Sequence, residues 1–169
     1  MNQVLQDSLD LARIDQSSEE ARLVDMSALI DSIVEEFRDR GLSALFLDSP
    51  RAPVFCKPML TRRLARNLID NAIKFGKAAE VCVLLTADHV EVRISDDGPG
   101  VPPEDLERVL EPFVRLEPSR SRDTGGSGLG LAIANRIARA QGAQLRLENG
   151  AHGGLQAIVS WPKPAANEH

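Results

Sequence analysis

Apolar residues recur every three or four positions in four segments of the chain, which is the spacing of one helix face. The sequence therefore predicts helices over residues 1–15, 27–41, 58–76 and from Leu131 to about Gln141. Ser27 is suited to cap the second helix, Pro58 to open the third, and Gly142 to end the fourth. The first segment has no capping residue before it, so we expect it to be the end of a longer helix.

Seven shorter segments have the apolar or alternating character of β-strands. They are residues 22–26, 44–47, 54–56, 81–86, 89–95, 144–148 and 155–161. In the fifth of them, Val90, Val92 and Ile94 alternate with charged residues, so one face of this strand is expected to be buried. It is expected to form a hairpin with the strand before it, and the last two strands are expected to be joined across Asn149-Gly150.

Composition and charge narrow the class of protein. With 169 residues, 43% hydrophobic and 27% charged, the chain is expected to form one globular domain with room for a short appendage. The net charge of −5, without a basic stripe, argues against nucleic acid as a partner. No apolar run approaches the roughly 20 residues that span a bilayer and no signal peptide is evident, so a cytoplasmic location is expected. Cys56 and Cys82 lie in strand-like runs and are expected to be buried free thiols.

A glycine cluster leads directly into the fourth helix. Residues 125–130 read GGSGLG, and glycines before a first helical turn let backbone amides approach an anion. The free N–H groups and the helix dipole make such a turn a phosphate site, although the same glycines could form a flexible linker.

Two further polar features lie upstream. Asn67, Asn71 and Lys74 are spaced to share one face of the third helix, opposite its apolar stripe. That face is either solvated or a contact for metal and phosphate, since asparagine oxygens suit Mg²⁺. Asp96 ends a strand before a turn with Gly98 and Gly100, and its carboxylate would favour a ligand that offers an N–H donor, such as adenine. An ordinary Asp-Gly turn is the alternative.

These features belong to four segments that occur in a fixed order. They are residues 67–75 (NLIDNAIKF), 96–102 (DDGPGVP), 111–115 (EPFVR) and 126–131 (GSGLGL). Together they resemble the catalytic, ATP-binding domain of sensor histidine kinases, over roughly residues 22–162. The resemblance implies an α+β fold, a two-layer α/β sandwich in which three helices cover one face of a mixed sheet. It also implies that ATP and Mg²⁺ bind on the helix side, beneath a mobile lid formed by residues 101–125.

The resemblance assigns roles residue by residue. Asn67 and Lys74 are expected to be catalytic, Asn71 to bind Mg²⁺, and Asp96 to read the adenine amine. Contacts with the nucleotide are expected from Asn67, Asn71, Lys74, Phe75, Asp96, Gly98, Gly100, Phe113, Arg115, Gly126, Ser127, Gly128, Leu129 and Gly130. Phe113 is also expected to anchor the lid, in which Arg120 and Arg122 are candidate contacts for the γ-phosphate.

Two departures from the family pattern stand out. Leu110 occupies a position where the family usually has phenylalanine, which affects lid packing. None of the histidines (His89, His152 and His169) has the helical setting of a phosphoacceptor.

The resemblance therefore implies a stub of the dimerisation and phosphoacceptor helices over 1–21, a catalytic domain over 22–163 and a disordered tail over 164–169. The expected partners are those helices of the parent kinase and its response regulator. The fragment itself is expected to be monomeric, and the parent protein to be anchored in the inner membrane.

Three functions follow in order of preference. The first is a histidine kinase fragment that binds Mg-ATP and transfers the γ-phosphoryl group to a histidine on helices outside this sequence. The second is an ATPase of the gyrase and mismatch-repair kind, but such enzymes use a glutamate base where this chain has Asn67, and an amide cannot accept a proton from water. The third is a module that senses a nucleotide without catalysis.

Overall fold

The expected alternation of helices and strands is present in the computed structural model, which describes residues 3–116 and 128–166. Its helices and strands in chain order are α1 (Gln3–Arg13), β1 (Arg22–Asp25), α2 (Met26–Asp39), β2 (Ala44–Phe46), β3 (Pro53–Cys56), α3 (Pro58–Gly76), β4 (Ala79–Leu85), β5 (His89–Ser95), α4 (Gly130–Ala140), β6 (Gln144–Asn149) and β7 (Leu155–Pro162). Residues 14–16, 103–105 and 108–110 form short 3₁₀ turns.

Two hairpins form most of a five-stranded sheet with the order β2-β4-β5-β7-β6. The β4–β5 and β6–β7 pairs are antiparallel, as predicted, and β5 pairs antiparallel with β7 at the centre. The short strand β2 joins the edge parallel to β4, which makes the sheet mixed. The predicted α+β sandwich is therefore confirmed.

One face of the sheet packs against the helices. Because side chains alternate along each strand, the register aligns Val83, Val92, Val159 and Leu145 in a buried row across four strands. On the helix side, α2, α3 and α4 each bury an apolar stripe. The opposite face of the sheet carries charges, including Arg93 Nη2, which lies 2.9 Å from the Glu91 carboxylate.

The chain segment before α3 differs from the sequence prediction at the N-cap of α2. Asp25, rather than Ser27, caps α2, and its carboxylate accepts from the Ser27 N–H at 3.2 Å and from the Ala52 N–H at 2.9 Å. Aspartate is at least as good an N-cap as serine, and Ser27 lies buried inside the helix. The strands β2 and β3 flank one turn but do not pair with each other, because β3 pairs antiparallel with β1 in a separate two-stranded sheet.

The two cysteines are free, but only Cys56 is buried; Cys82 is half-buried, so the prediction is wrong for the second thiol. Cys82 points to the charged face of the sheet, in register with Arg93. Burial raises the pKa of both thiols, which keeps them protonated at neutral pH.

The first helix is attached to the rest of the domain by charge. The apolar stripe predicted for α1 stays largely in solvent: no residue of this helix is buried, and Leu5 is 56% exposed. Asp10 forms an ion pair with Arg63 of α3 at 2.8 Å, and Asp15 forms one with Arg136 of α4. Ile14, in the turn after α1, is buried in the core.

The segment that follows α1 also caps another helix. Lys57, at the N-cap position of α3, provides no side-chain hydrogen bond. The Glu19 carboxylate replaces it, accepting from the Met59 N–H at 2.7 Å and from the Leu60 N–H at 3.1 Å. A carboxylate at a helix N-terminus satisfies orphan donors and interacts favourably with the helix dipole.

We expect Glu19→Ala to lower the free energy of unfolding by about 1 kcal/mol, the typical cost of a lost N-cap. Urea titration followed by fluorescence would measure it, because Trp161 is the only tryptophan and is fully buried. The matched control is Glu20→Ala, since Glu20 is exposed and makes no hydrogen bond or ion pair within the described ranges. Equal losses for the two variants would contradict the capping role.

Candidate functional site

The candidate site is built around Asp96, which directly follows β5. Asp96 is only 8% exposed. Its Oδ1 accepts hydrogen bonds from the Gly98 N–H at 2.8 Å and the Leu155 N–H at 3.2 Å, and its own N–H donates to the Leu155 carbonyl at 3.0 Å. Within the described residues both side-chain hydrogen bonds go to Oδ1, so Oδ2 keeps its capacity to accept from a ligand.

Three glycines allow other parts of the backbone to approach Asp96 closely. A Cβ atom on Gly76, at the end of α3, would lie 2.5 Å from the Asp96 Cβ. A Cβ on Gly98 would lie 2.7 Å from the Phe75 carbonyl oxygen, and one on Gly154 would lie 1.8 Å from the Asp96 carbonyl oxygen. The end of α3, the turn after β5 and the start of β7 therefore meet at this carboxylate.

The polar residues of α3 lie beside the core rather than opposite it. Asn67, Asn71 and Lys74 share one helix, as predicted, but both asparagines are half-buried and only Lys74 is exposed. The reason is that Leu64, one turn before Asn67, is fully buried, so this face turns towards the interior. The Asn67 Nδ2 atom is buried and has no hydrogen-bond partner in the described part of the chain.

A carboxyl group on the same helix has a perturbed pKa. Burial raises the pKa of Asp70, while the positive charges of Arg40 and Lys74 act in the opposite direction. The protonated form is therefore favoured to a higher pH than for a free aspartate.

The start of α4 is the second part of the site. Leu129, at the N-cap position, is fully buried, and among the described residues no side chain caps the backbone N–H groups in the first turn of α4. Gly128 has a positive φ of +74°, and its carbonyl accepts from the Phe113 N–H at 3.1 Å. Gly126 and Ser127 lie outside the described residues, as do Arg120, Arg122 and His169.

The contact between Gly128 and Phe113 brings two predicted segments together. A Cβ on Gly128 would lie 3.2 Å from both the Phe113 Cα and the Arg115 Cγ. Phe113 adopts φ +68°, which is rare for a bulky residue, and the residue is 58% exposed. In the described residues Phe113 is therefore held by its backbone, whereas its ring, like that of Phe75, remains available for contacts.

Sequence reasoning missed three residues that shape the site: Gly76, Gly154 and Asn149. Gly76 was predicted only to end a helix and Asn149 only to form a turn, while Gly154 had no predicted role. The glycine density of residues 149–154 exceeds the need of a simple hairpin and could have indicated Asn149 and Gly154, but no comparable signal marks Gly76.

A family model described as "Histidine kinase-, DNA gyrase B-, and HSP90-like ATPase" matches residues 56–165. The chain belongs to this family. The matched range begins just before α3 and includes Asp96 and the start of α4, so it contains the whole candidate site.

Proteins similar in sequence are sensor kinases. The sensor protein RstB of Escherichia coli is 43% identical over 104 residues, which cover 61% of this chain and 24% of RstB. The sensor histidine kinase GtrS of Pseudomonas aeruginosa is 34% identical over 145 residues, covering 86% of this chain and 30% of GtrS. The chain thus spans less than a third of the length of these curated relatives.

Solved structures give the same result. The ATP-binding domain of PrrB from Mycobacterium tuberculosis superposes with a TM-score of 0.72 at 26% identity, covering 86% of this chain and 99% of that domain. Full-length ShkA, solved in complex with AMPPNP, gives a TM-score of 0.74 at 26% identity and covers 96% of this chain and 36% of ShkA. Within the histidine kinase-like family, the chain is therefore a catalytic ATP-binding domain of the sensor histidine kinase type.

Among the residues that the structure describes, no helix combines the length and the apolar character needed to cross a membrane.

We expect Gly76→Ala to destabilise this domain by about 1–3 kcal/mol, the usual cost of overpacking, although alanine is the better helix former. The added methyl group would overlap Asp96, as described above. Thermal unfolding of Gly130→Ala provides the control, because a Cβ at that position would have no described atom within 4 Å apart from its chain neighbours and the backbone of its own helix. If Gly76→Ala were as stable as Gly130→Ala, the close packing around Asp96 would be refuted.

Proposed function

We propose that this domain binds Mg-ATP and transfers the γ-phosphoryl group to a histidine on helices that lie outside this sequence. The observation that carries the proposal is the arrangement of Asp96. Its Oδ1 is held by two backbone N–H groups at the sheet edge, and its Oδ2 is left to accept from the exocyclic amine of adenine.

The amides of α3 fit the polyphosphate and its metal ion. Asn67 carries a buried Nδ2 donor that has no hydrogen-bond partner among the described residues, and a phosphate oxygen would satisfy it. Asn71 follows one turn later and would offer its amide oxygen to Mg²⁺, which favours hard oxygen ligands. When bound, Mg²⁺ would supply positive charge that neutralises the phosphates.

The start of α4 fits the phosphate groups. Uncapped N–H groups and the positive end of the helix dipole attract anions, and Gly128 and Gly130 let backbone approach closely. Lys74 adds a positive charge on α3, which packs against α4. Arg115, which contacts the Gly128 position, adds another.

Positioning and charge neutralisation would carry the reaction, since phosphoryl transfer needs little covalent chemistry from the protein. The bond from the γ-phosphorus to the bridging oxygen would break, ADP would leave, and a histidine ring nitrogen would gain the phosphoryl group. Two histidines of the described chain are unsuited to accept it, because His89 begins β5 and His152 lies in the turn after β6.

Domain organisation follows from the same proposal. Residues 1–21 would be the end of the dimerisation and phosphoacceptor helices, and 22–163 the catalytic domain. The exposed apolar side chains of α1, including Leu5 and Leu9, support this assignment because the described residues do not cover them. The partners would be those helices and a response regulator, with this fragment monomeric and the parent kinase anchored in a membrane.

An ATPase of the gyrase kind is disfavoured by Asn67, whose amide cannot act as the general base that hydrolysis needs. A module that only senses a nucleotide would use the same binding residues. Such a module is distinguished from a kinase by whether the phosphoryl group is transferred to an acceptor, and not by whether the nucleotide binds.

Magnesium dependence tests the metal assignment. We expect ATP to bind more tightly with Mg²⁺ than with a chelator, and Asn71→Ala to reduce that gain by about tenfold, as loss of a metal-site residue commonly does. Calorimetry with both metal conditions would measure the gain. Asn135→Ala is the matched control, because Asn135 is a half-buried asparagine on α4. An unchanged gain in Asn71→Ala would show that the metal ligand lies elsewhere.

Transfer in trans tests the reaction. Incubated with labelled ATP, the chain alone should remain unlabelled, while an added fragment with the parent's histidine-bearing helices should acquire acid-labile label, slowly because the covalent link is absent. Without an acceptor, the rate of phosphate release should stay far below that of an ordinary enzyme, which is on the order of 10 per second. Label on His89 or His152 would refute the missing-acceptor account, fast release would favour the ATPase, and unlabelled helices would favour the sensing module.

A further inference from the structure

The turn between β6 and β7, residues 149–154, holds the loop that follows Asp96. The Asn149 Oδ1 atom accepts from the Val101 N–H at 2.9 Å, and its Nδ2 donates to the Val101 carbonyl at 2.6 Å. One side chain thus satisfies both backbone groups of Val101. A partner that pairs with both groups fixes the orientation of that peptide as well as its position.

The position of Gly100 depends on this contact. Gly100 has φ +74°, and a Cβ there would lie 2.6 Å from the Asn149 Oδ1 and 3.2 Å from the Gly154 carbonyl oxygen. The loop from Asp96 to Val101 therefore rests directly on the β6–β7 turn. Glycine is required here by conformation and by the side chain of Asn149 together.

A second route joins the same turn to Asp96. The Gly150 N–H donates to the Gly154 carbonyl at 2.9 Å, which closes the turn, and the next residue, Leu155, donates to Asp96 Oδ1 at 3.2 Å. The β6–β7 turn therefore contacts the Asp96 loop at two places: Asn149 binds Val101, and Leu155 binds the Asp96 carboxylate. The residues from Gly98 to Val101 connect these two places, because the Gly98 N–H also donates to Asp96 Oδ1.

We propose that Asn149 is a positioning residue that sets the base selectivity of the nucleotide site by fixing the Asp96 loop through Val101. The inference rests on the proposed function, since Asp96 must read the base. An acceptor discriminates adenine from guanine only if it is held within about 0.5 Å of the position from which it can bond the exocyclic amine of adenine. Without Asn149, Val101 loses its side-chain anchor to the β6–β7 turn, and among the described residues the loop is then joined to this hairpin by hydrogen bonds only at its other end, between Asp96 and Leu155.

The test compares ATP and GTP affinities of the full chain by calorimetry, with and without Mg²⁺. The ratio of the two affinities should fall about fivefold or more in Asn149→Ala, the loss expected from one missing hydrogen bond. Asn149→Asp keeps the acceptor for the Val101 N–H and loses the donor, so its ratio should lie between those of Asn149→Ala and the parent. His152→Ala, an exposed change in the same turn, should match the parent.

Two readouts separate positioning from loss of structure. The increase in ATP affinity caused by Mg²⁺ depends on the phosphate end of the site, so it should be unchanged in Asn149→Ala. In an Asp96→Asn background, Asn149→Ala should cause no further loss of base selectivity, because both changes act on the same contact. If Asn149→Ala melts below the assay temperature, Asn149→Asp gives the same comparison.

The outcomes distinguish this inference from the proposed function. A parent that binds ATP selectively, with the same selectivity in Asn149→Ala, would overturn the role of Asn149 and leave the function intact. If Asn149→Ala lowered the ATP-to-GTP selectivity and the Mg²⁺-dependent increase in ATP affinity equally, the whole site would have lost its order, and the specific role of Asn149 would also be refuted. A parent that binds no ATP, or binds ATP and GTP equally, would instead refute the proposed base recognition itself.

Discussion

The close approach of three backbone segments to one buried carboxylate determines how the rest of the site is arranged. Asp96 can be buried because backbone N–H groups from two different segments satisfy Oδ1. The three backbone segments come this close only because Gly76, Gly98 and Gly154 have no side chains. An unsatisfied carboxylate would be costly at this depth, so the glycines and the hydrogen bonds require each other. The position of α3 relative to the sheet follows from the same packing.

Local patterns predicted most of the fold because they depend on residues near one another in sequence. The alternation of Val90, Val92 and Ile94 defines β5, and the apolar stripe from Leu64 to Ala72 defines α3. Asn67, Asn71, Lys74 and Asp96 could be selected because asparagine spacing and an aspartate before glycines are unusual in a solvated surface. The expectation that they form one site came from the resemblance to a family, since periodicity does not specify how helices and strands are arranged in space.

The features that escaped prediction depend on contacts between distant residues. Glu19 caps a helix that starts about forty residues later, and nothing in the polar segment around it indicates that partner. Asn149 contacts Val101 across 48 positions of sequence. The pairing of β1 with β3 was missed for a similar reason, since each strand alone has only a weak apolar pattern. Ser27 was predicted as the cap of α2 because serine suits an N-cap, but aspartate suits it as well, and the contact with Ala52 identifies Asp25 as the cap.

The attachment of α1 has a mechanical consequence. The contacts from Asp10, Asp15 and Glu19 reach α3 and α4, the two helices that carry Asn67, Asn71 and the uncapped glycine turn. They act at the ends of α3 and α4 farthest from Asp96 and Gly128, since Glu19 binds the first turn of α3 and Arg136 lies in the second half of α4. A twist or pull applied to α1 would therefore act first on these two helices, at points away from the candidate site.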